Sequence, residues 1–248
     1  MRHEPIDQAR RLVQDRFPDA LAVVLAGSTV QGRATAGSDL DIAVLVASGG
    51  ETYRETLRFE GRVVELFVHT RAGLRDLFAV DVATRRAVLQ SMYATGVVLV
   101  DVDGEAGRAR ALADADLRQG PPALEPGTVE TKRYGLTDAI DDLRDATDPL
   151  ERLAVAGFVV NTAADLLCDH RRTWTGTGKW LVRRLVEADP ERGGALLEAH
   201  AHLGRTEDPE PLIDIASAIL DTVGGPLREG YRRVWQGVID SVALGVGR

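Results

Sequence analysis

Hydrophobic positions in the first hundred residues alternate between helical and strand spacing. Apolar residues recur every three to four positions over Ile6–Phe17, which predicts a helix that ends before Pro18. Continuous apolar runs at Ala20–Ala26 and Ile42–Val46 predict two buried strands, the second of which begins at Asp39.

Two further strand-like segments, Glu51–Phe59 and Arg62–His69, flank the dipeptide Glu60-Gly61. A polar residue followed by glycine between two such segments predicts a β-hairpin. Because side chains alternate along a strand, Glu65 and Phe67 are expected on one face of the second strand of this hairpin. Helices near Leu74–Val82 and Arg85–Ala94 and a short strand at Val97–Val100 are predicted to follow.

The composition changes at Arg118–Thr128, where proline and glycine are frequent, and this segment is predicted to be a linker. Helical spacing dominates afterwards, over Val129–Ala146, Pro149–Arg171, Lys179–Glu187, Pro190–Leu203, Pro211–Val223 and a final stretch near Tyr231–Leu244. The pattern predicts an α+β fold: a mixed β-sheet flanked by helices over residues 1–120, followed by an α-helical bundle over residues 121–248. The cleft between the two domains is the expected ligand site.

Composition restricts the class of protein. The chain has 248 residues, is 44% hydrophobic and carries a net charge of -8, which argues against a nucleic-acid-binding protein with a broad basic face. Cys168 is the single cysteine, so an internal disulfide and a thiolate metal cluster are excluded, and its apolar neighbours predict a buried thiol. No signal-type or 18-residue apolar segment is present, and we expect a cytoplasmic protein without a membrane partner.

Candidate chemistry is concentrated in Gly27–Asp41. Asp39 and Asp41 are expected side by side on one strand face, just after Gly27-Ser28, a small-residue turn suited to phosphate. Ser28 is expected at the start of a short helix. Glu65 is a charged residue in an apolar run, on the strand expected to pair beside Asp41, although an exposed strand glutamate is the alternative. Three carboxylates could hold one or two Mg²⁺ ions, with Glu65 also accepting a proton as a general base.

The succession Gly27-Ser28, Ser38-Asp39-Leu40-Asp41 and Glu65 resembles the polymerase-beta nucleotidyltransferase superfamily. The resemblance covers about Leu21–His69, and the small aminoglycoside-modifying members join this core to a helical bundle. It implies an N-terminal nucleotidyltransferase domain in which Asp39, Asp41 and Glu65 bind metal and catalyse transfer. Gly27, Ser28 and Ser38 would then bind nucleotide.

Two basic residues are further candidates for nucleotide binding. Arg33 follows the Gly-Ser turn and could reach a triphosphate, but an ordinary solvated arginine fits the sequence equally well. Lys179 follows Gly178, and the chain contains only one other lysine, Lys132. In aminoglycoside adenylyltransferases a comparable Gly-Lys pair contacts the nucleotide phosphates, so the resemblance implies that role for Lys179. A solvated lysine at a helix start is the alternative.

Acidic residues are frequent on the first two predicted helices of the bundle, and Asp141 and Asp165 are the candidates for binding a cationic acceptor. A solvated acidic face is the other interpretation. The resemblance implies a Mg²⁺-dependent enzyme that moves AMP from ATP to a hydroxyl of a small molecule such as an aminoglycoside. Two alternatives stay open: transfer to tRNA or to a protein hydroxyl, and a regulatory module that binds nucleotide without turnover.

Overall fold

The computed structural model describes residues 3–35, 37–47 and 49–234, and the chain divides into two compact units, Met1–Pro122 and Ala123–Arg248. The elements of the first unit are α1 (His3–Arg16), β1 (Ala22–Ala26), β2 (Leu40–Leu45), β3 (Tyr53–Phe59), β4 (Arg62–His69), α2 (Arg71–Ala83), α3 (Val88–Thr95), β5 (Val97–Asp101) and α4 (Glu105–Gln119). Those of the second unit are α5 (Pro126–Asp145), α6 (Pro149–His170), α7 (Lys179–Ala188), α8 (Pro190–Thr206) and α9 (Glu210–Thr222). This confirms the predicted α+β class, with a sheet and helices first and a helical part after them.

Within the described residues the five strands form one mixed sheet in the order β3-β4-β2-β1-β5. β2 and β4 pair in parallel, while the other neighbouring strands are antiparallel. The predicted hairpin is confirmed: Glu60 and Gly61 connect β3 to β4, and both have positive φ, at 46° and 82°. Two consecutive residues of positive φ give a turn whose twist matches that of the flanking strands.

Helices cover both faces of the sheet. α1 covers one face, where Leu12 and Val13 belong to a hydrophobic cluster that also includes Val64 and Leu66 of β4. α2, α3 and α4 pack on the opposite face, the one to which Phe67 of β4 contributes. The alternation predicted for β4 is therefore confirmed, and Glu65 lies on the same face as Phe67 because the two are separated by two positions.

Helix α4 was not predicted from the sequence, and its last two residues fall within the predicted linker. Apart from Glu105, the buried residues of this helix are the alanines Ala106, Ala109 and Ala113. Alanine favours helix but contributes little to a hydrophobic periodicity, so the charged residues between the alanines hid the pattern. The irregular connection before α5 is consequently shorter than predicted, residues 120–125.

The second unit has its own core, formed by α5 to α9 around Leu136, Val160, Leu167 and Leu212 among others. Cys168 is buried, as predicted. The helix predicted near Tyr231–Leu244 lies mostly outside the described residues, and its first positions, 231–234, are irregular. No helix in the described part of the chain is long and apolar enough to span a membrane.

A buried histidine gives the first unit a predicted pH dependence. His69, at the end of β4, is fully buried with its Nε2 2.6 Å from the Tyr93 hydroxyl. Burial lowers the pKa of His69 to about 4. The unfolded chain therefore binds a proton near pH 6.5 that the folded protein binds only near pH 4, so stability decreases as the pH falls through this window.

We expect the free energy of unfolding to fall by about 3 kcal/mol between pH 6.5 and pH 4 because of His69 alone. Urea denaturation followed by circular dichroism across this range measures the effect. A His69→Phe variant should lose this part of the pH dependence, whereas His170→Gln, at an exposed histidine, should retain it. Identical pH profiles for wild type and His69→Phe would contradict the assignment.

Candidate metal and nucleotide site

Three carboxylates converge at the start of β2. Asp41 of β2 and Glu65 of β4 are direct partners in the parallel pairing, so their side chains lie next to each other on the same face. Asp39 lies immediately before β2, so the observed strand begins one residue later than predicted. One carboxylate oxygen from each of the three residues lies within 4.8 Å of the others, and all three residues are half-buried.

The donor set fits a hard divalent cation. Its ligands are all carboxylate oxygens, which Mg²⁺ and Mn²⁺ prefer over softer donors. Like charges this close repel one another, and a divalent cation between them would relieve that repulsion. The backbone at Gly27 approaches the Asp41 carboxylate closely, which restricts the position of one of the three carboxylates.

Gly27 follows the last residue of β1 and lies directly beside the Asp41 carboxylate. A Cβ atom added at residue 27 would lie 1.9 Å from Oδ2 of Asp41, and Gly27 has a φ of 79°. Both facts require glycine, because other residues rarely adopt this φ and any side chain would collide with the carboxylate. The role of Gly27 in nucleotide binding stays a prediction, and the structure adds its close approach to the Asp41 carboxylate.

The segment after Gly27 forms consecutive turns rather than the predicted short helix. Gln31 N–H donates to the Gly27 carbonyl and Arg33 N–H to the Ser28 carbonyl, while Gly32 has a φ of 73°. A positive φ at residue 32 is incompatible with helix continuation, so the single turn stops there. Ser28 is therefore not at a helix N-terminus, and the helix-dipole argument for phosphate binding does not apply to it.

Serine and threonine hydroxyls close this loop on itself. The Ser28 hydroxyl donates to the Ser38 hydroxyl oxygen at 3.1 Å, and Ser38 Oγ also accepts the Thr35 N–H at 2.9 Å. Thr29 Oγ1 donates to the carbonyl of Asp39 at 3.0 Å. The loop thus fixes the backbone on both sides of Asp39, a role for Thr29 that the sequence did not reveal.

A second set of hydrogen bonds ties the same loop to the hairpin and to α1. Arg62, the first residue of β4, donates from Nη1 to the Ser38 carbonyl at 3.1 Å and from Nε to Gln8 Oε1 at 3.2 Å. Gln8 is 5% exposed and donates to the Phe59 carbonyl at 2.7 Å. Buried polar groups with satisfied partners hold a unique arrangement, so Gln8 and Arg62 help to position the residue before Asp39.

Arg54 is a basic residue beside the carboxylate triad, which consists of Asp39, Asp41 and Glu65. It was not among the site residues selected from the sequence. Its Nη2 lies 2.7 Å from Oε2 of Glu65, and its guanidinium carbon is 4.9 Å from the centroid of the Phe67 ring. Arg54 could have been identified from the predicted hairpin, because it lies on the strand that pairs with the strand of Glu65. Long side chains reach diagonal neighbours across two strands.

The remaining predicted site residues lie as follows. Arg33 is exposed and donates to the Gln31 side chain at 3.0 Å, and its role in nucleotide binding stays a prediction. Lys179 is the exposed first residue of α7, and its role in nucleotide binding stays a prediction. Asp165 forms an ion pair with Lys132 at 2.8 Å, and Asp141 pairs with Arg144 and Arg228, both at 2.7 Å. Their predicted role in acceptor binding must therefore compete with existing partners.

The first unit contains the part of the chain that matches a protein family model. The family model described as a nucleotidyltransferase domain matches residues 6–88, a span that includes Gly27, Asp39, Asp41 and Glu65. A solved structure of a nucleotidyltransferase-like protein from Exiguobacterium sibiricum 255-15 is 10% identical with a TM-score of 0.44, over 88% of this chain and 73% of that chain. No curated protein matches the chain significantly.

Proposed function

We propose that the protein transfers a nucleoside monophosphate from a nucleoside triphosphate to a hydroxyl group, a proposal supported by the match of residues 6–88 to the nucleotidyltransferase domain model. The convergence of Asp39, Asp41 and Glu65 within 4.8 Å carries the proposal. The donor is proposed to be ATP and the acceptor a small cationic polyol such as an aminoglycoside. The resemblance supplies both identities, and the net charge of -8 is compatible with a cationic acceptor.

The chemistry assigns a role to each residue. Asp39, Asp41 and Glu65 would hold Mg²⁺, which when bound neutralises negative charge on the phosphates. The acceptor oxygen attacks the α-phosphorus, the bond from that phosphorus to the bridging oxygen of the β-phosphate breaks, and pyrophosphate leaves. Glu65 accepts the proton of the attacking hydroxyl. Gly27 leaves space for the Asp41 carboxylate, and the turn at Ser28–Gly32 with Ser38 is proposed to face the phosphates.

Incubation with each α-labelled nucleoside triphosphate, Mg²⁺ and separate pools of aminoglycosides, tRNA and protein tests this proposal. Label on a small hydroxyl compound, together with released pyrophosphate, is the expected result. Label on tRNA or on protein would replace the acceptor class but keep the reaction. Nucleotide binding without label on any pool would favour a regulatory module and contradict nucleotidyl transfer.

Glu65→Gln should lower the turnover number by about a hundredfold or more, because an amide cannot accept the hydroxyl proton. The dissociation constant of the nucleotide should change much less, since the amide oxygen remains a weak ligand. Steady-state kinetics and calorimetric nucleotide binding separate the two effects.

Glu55→Gln is the matched control, because Glu55 lies on β3 and pairs with Arg16 at 3.0 Å. This variant should turn over like the wild type. An unchanged turnover number in Glu65→Gln would remove Glu65 from the role of base.

A further inference from the structure

Arg54 lies on β3, two residues from the position opposite Glu65 and on the same face of the sheet as Glu65 and Asp41. Across the strands, Thr56 is opposite Glu65 and Glu65 is opposite Asp41, whereas Arg54 is opposite Phe67. Arg54 is thus the diagonal neighbour of Glu65 on the same face, a separation that an arginine side chain can span. The position allows its guanidinium to lie at the border between the triad and solvent.

The two partners of this ion pair differ in exposure. The Arg54 side chain is 60% exposed and that of Glu65 is 23% exposed. The 2.7 Å contact uses one of the five guanidinium N–H groups, and contact with the Phe67 ring orients the guanidinium plane. Arg54 therefore presents donors to solvent while it neutralises one member of the triad.

A divalent cation and Arg54 would compete for the same carboxylate. Both are attracted to Glu65, and they repel each other when both are close to it. Once a cation neutralises the triad, Glu65 attracts Arg54 less strongly. A nucleotide then brings phosphate oxygens, whose geometry matches the planar fork of arginine better than a single carboxylate oxygen does.

From this arrangement we propose that Arg54 is the counter-ion of the metal-free triad and a phosphate-binding residue of the loaded site. The assignment rests on the proposed function, since it takes the triad to bind a cation and a nucleoside triphosphate. Arg54 exchanges Glu65 for the phosphates when the cation and the nucleotide bind. Its removal must then have opposite effects on the two ligands.

The first measurement is the affinity for Mn²⁺ alone, followed by the electron paramagnetic resonance of free Mn²⁺. Arg54→Ala should bind Mn²⁺ about three- to tenfold more tightly than the wild type, because a competing positive charge is gone. Arg54→Lys keeps the charge and should remain close to the wild type. A tenfold weakening in Arg54→Ala would instead show that Arg54 holds Glu65 in place for the metal, and would overturn the proposal.

The second measurement is the affinity for a non-hydrolysable ATP analogue with a methylene α,β-bridge, at saturating Mn²⁺, by calorimetry. Arg54→Ala should bind it about tenfold more weakly, since a charge-assisted hydrogen bond to phosphate is lost. Arg54→Lys should recover part of the loss, because lysine binds phosphate as a point charge. An unchanged nucleotide affinity in Arg54→Ala would overturn the phosphate-binding role.

Arg58→Ala is the matched control for both measurements. Arg58 is exposed, lies four residues further along β3 and donates to the Gly61 carbonyl at 3.3 Å rather than to the triad. The Arg58→Ala substitution removes the same charge from the same face of β3 and should leave the affinities for Mn²⁺ and for the ATP analogue unchanged. If Arg54→Ala behaves like Arg58→Ala while the wild type binds both ligands, this proposal alone fails. If the wild type binds neither ligand, the proposed function fails with it.

Discussion

Asp39→Asn and Asp41→Asn are each expected to reduce nucleotidyl transfer by about a thousandfold or more. Each change replaces a charged side chain, proposed to bind the metal, by a neutral one in a triad whose oxygens lie within 4.8 Å of one another. Loss of the charge stabilisation that a bound cation provides costs several kcal/mol in the transition state, and each 1.4 kcal/mol is a factor of about ten in rate.

Transfer of label from ATP, with Mn²⁺ affinity as an independent readout, measures the effect of both substitutions. The thermal unfolding of both variants should stay close to that of the wild type, because the replacements keep size and shape at half-buried positions. Asp76→Asn, at an exposed aspartate on α2, is the control and should retain activity and Mn²⁺ affinity. Full activity in either triad variant would refute the mechanism.

Gly27→Ala is expected to weaken Mn²⁺ binding at least tenfold and to lower transfer by about a hundredfold. The added methyl group would lie 1.9 Å from Oδ2 of Asp41, so the carboxylate must move away from Asp39 and Glu65. The positive φ of 79° adds a conformational cost of about 1 kcal/mol for alanine. Mn²⁺ titration and denaturant unfolding separate the loss of the site from the loss of stability.

Gly61→Ala provides the matched control for backbone strain. Gly61 has a φ of 82°, close to that of Gly27, but an added Cβ would meet no heavy atom within 4 Å. Both variants should therefore share the conformational cost, while Gly61→Ala keeps the Mn²⁺ affinity of the wild type. Equal Mn²⁺ affinities in the two variants would show that the position of the Asp41 carboxylate does not matter for the site.

Much of the first unit could be predicted from local sequence because the signals are local. The dipeptide Glu60-Gly61 predicted the hairpin, and alternation along Arg62–His69 predicted that Glu65 and Phe67 share one face of β4. The prediction failed where the signal was weak or misleading. Alanines concealed the buried side of α4, and the polar turns at residues 28–32 were interpreted as a helix although Gly32 ends them.

Only some residues of the candidate site could be selected from the sequence. Asp39, Asp41 and Glu65 could be selected from sequence, because charged residues inside or beside apolar strand segments are unusual. The residues that position the carboxylates could not be selected in this way. Gln8 and Arg62 are separated by 54 positions, and Arg62 from Ser38 by 24, so no local periodicity connects them. Arg54 looks like any exposed strand arginine until the register of β3 against β4 places it beside Glu65.

The amino-acid sequence by itself determined the chemical identity of this protein's site: three carboxylates, a glycine-serine turn, and alternation that fixes which face each side chain takes. Tertiary structure decided the distances. Parallel pairing of β2 with β4 brings Asp41 next to Glu65, and the end of β1 brings Gly27 against Asp41. Local spacing determines the face to which a side chain points, but only the pairing of strands that are distant in sequence determines which charged side chains lie close together.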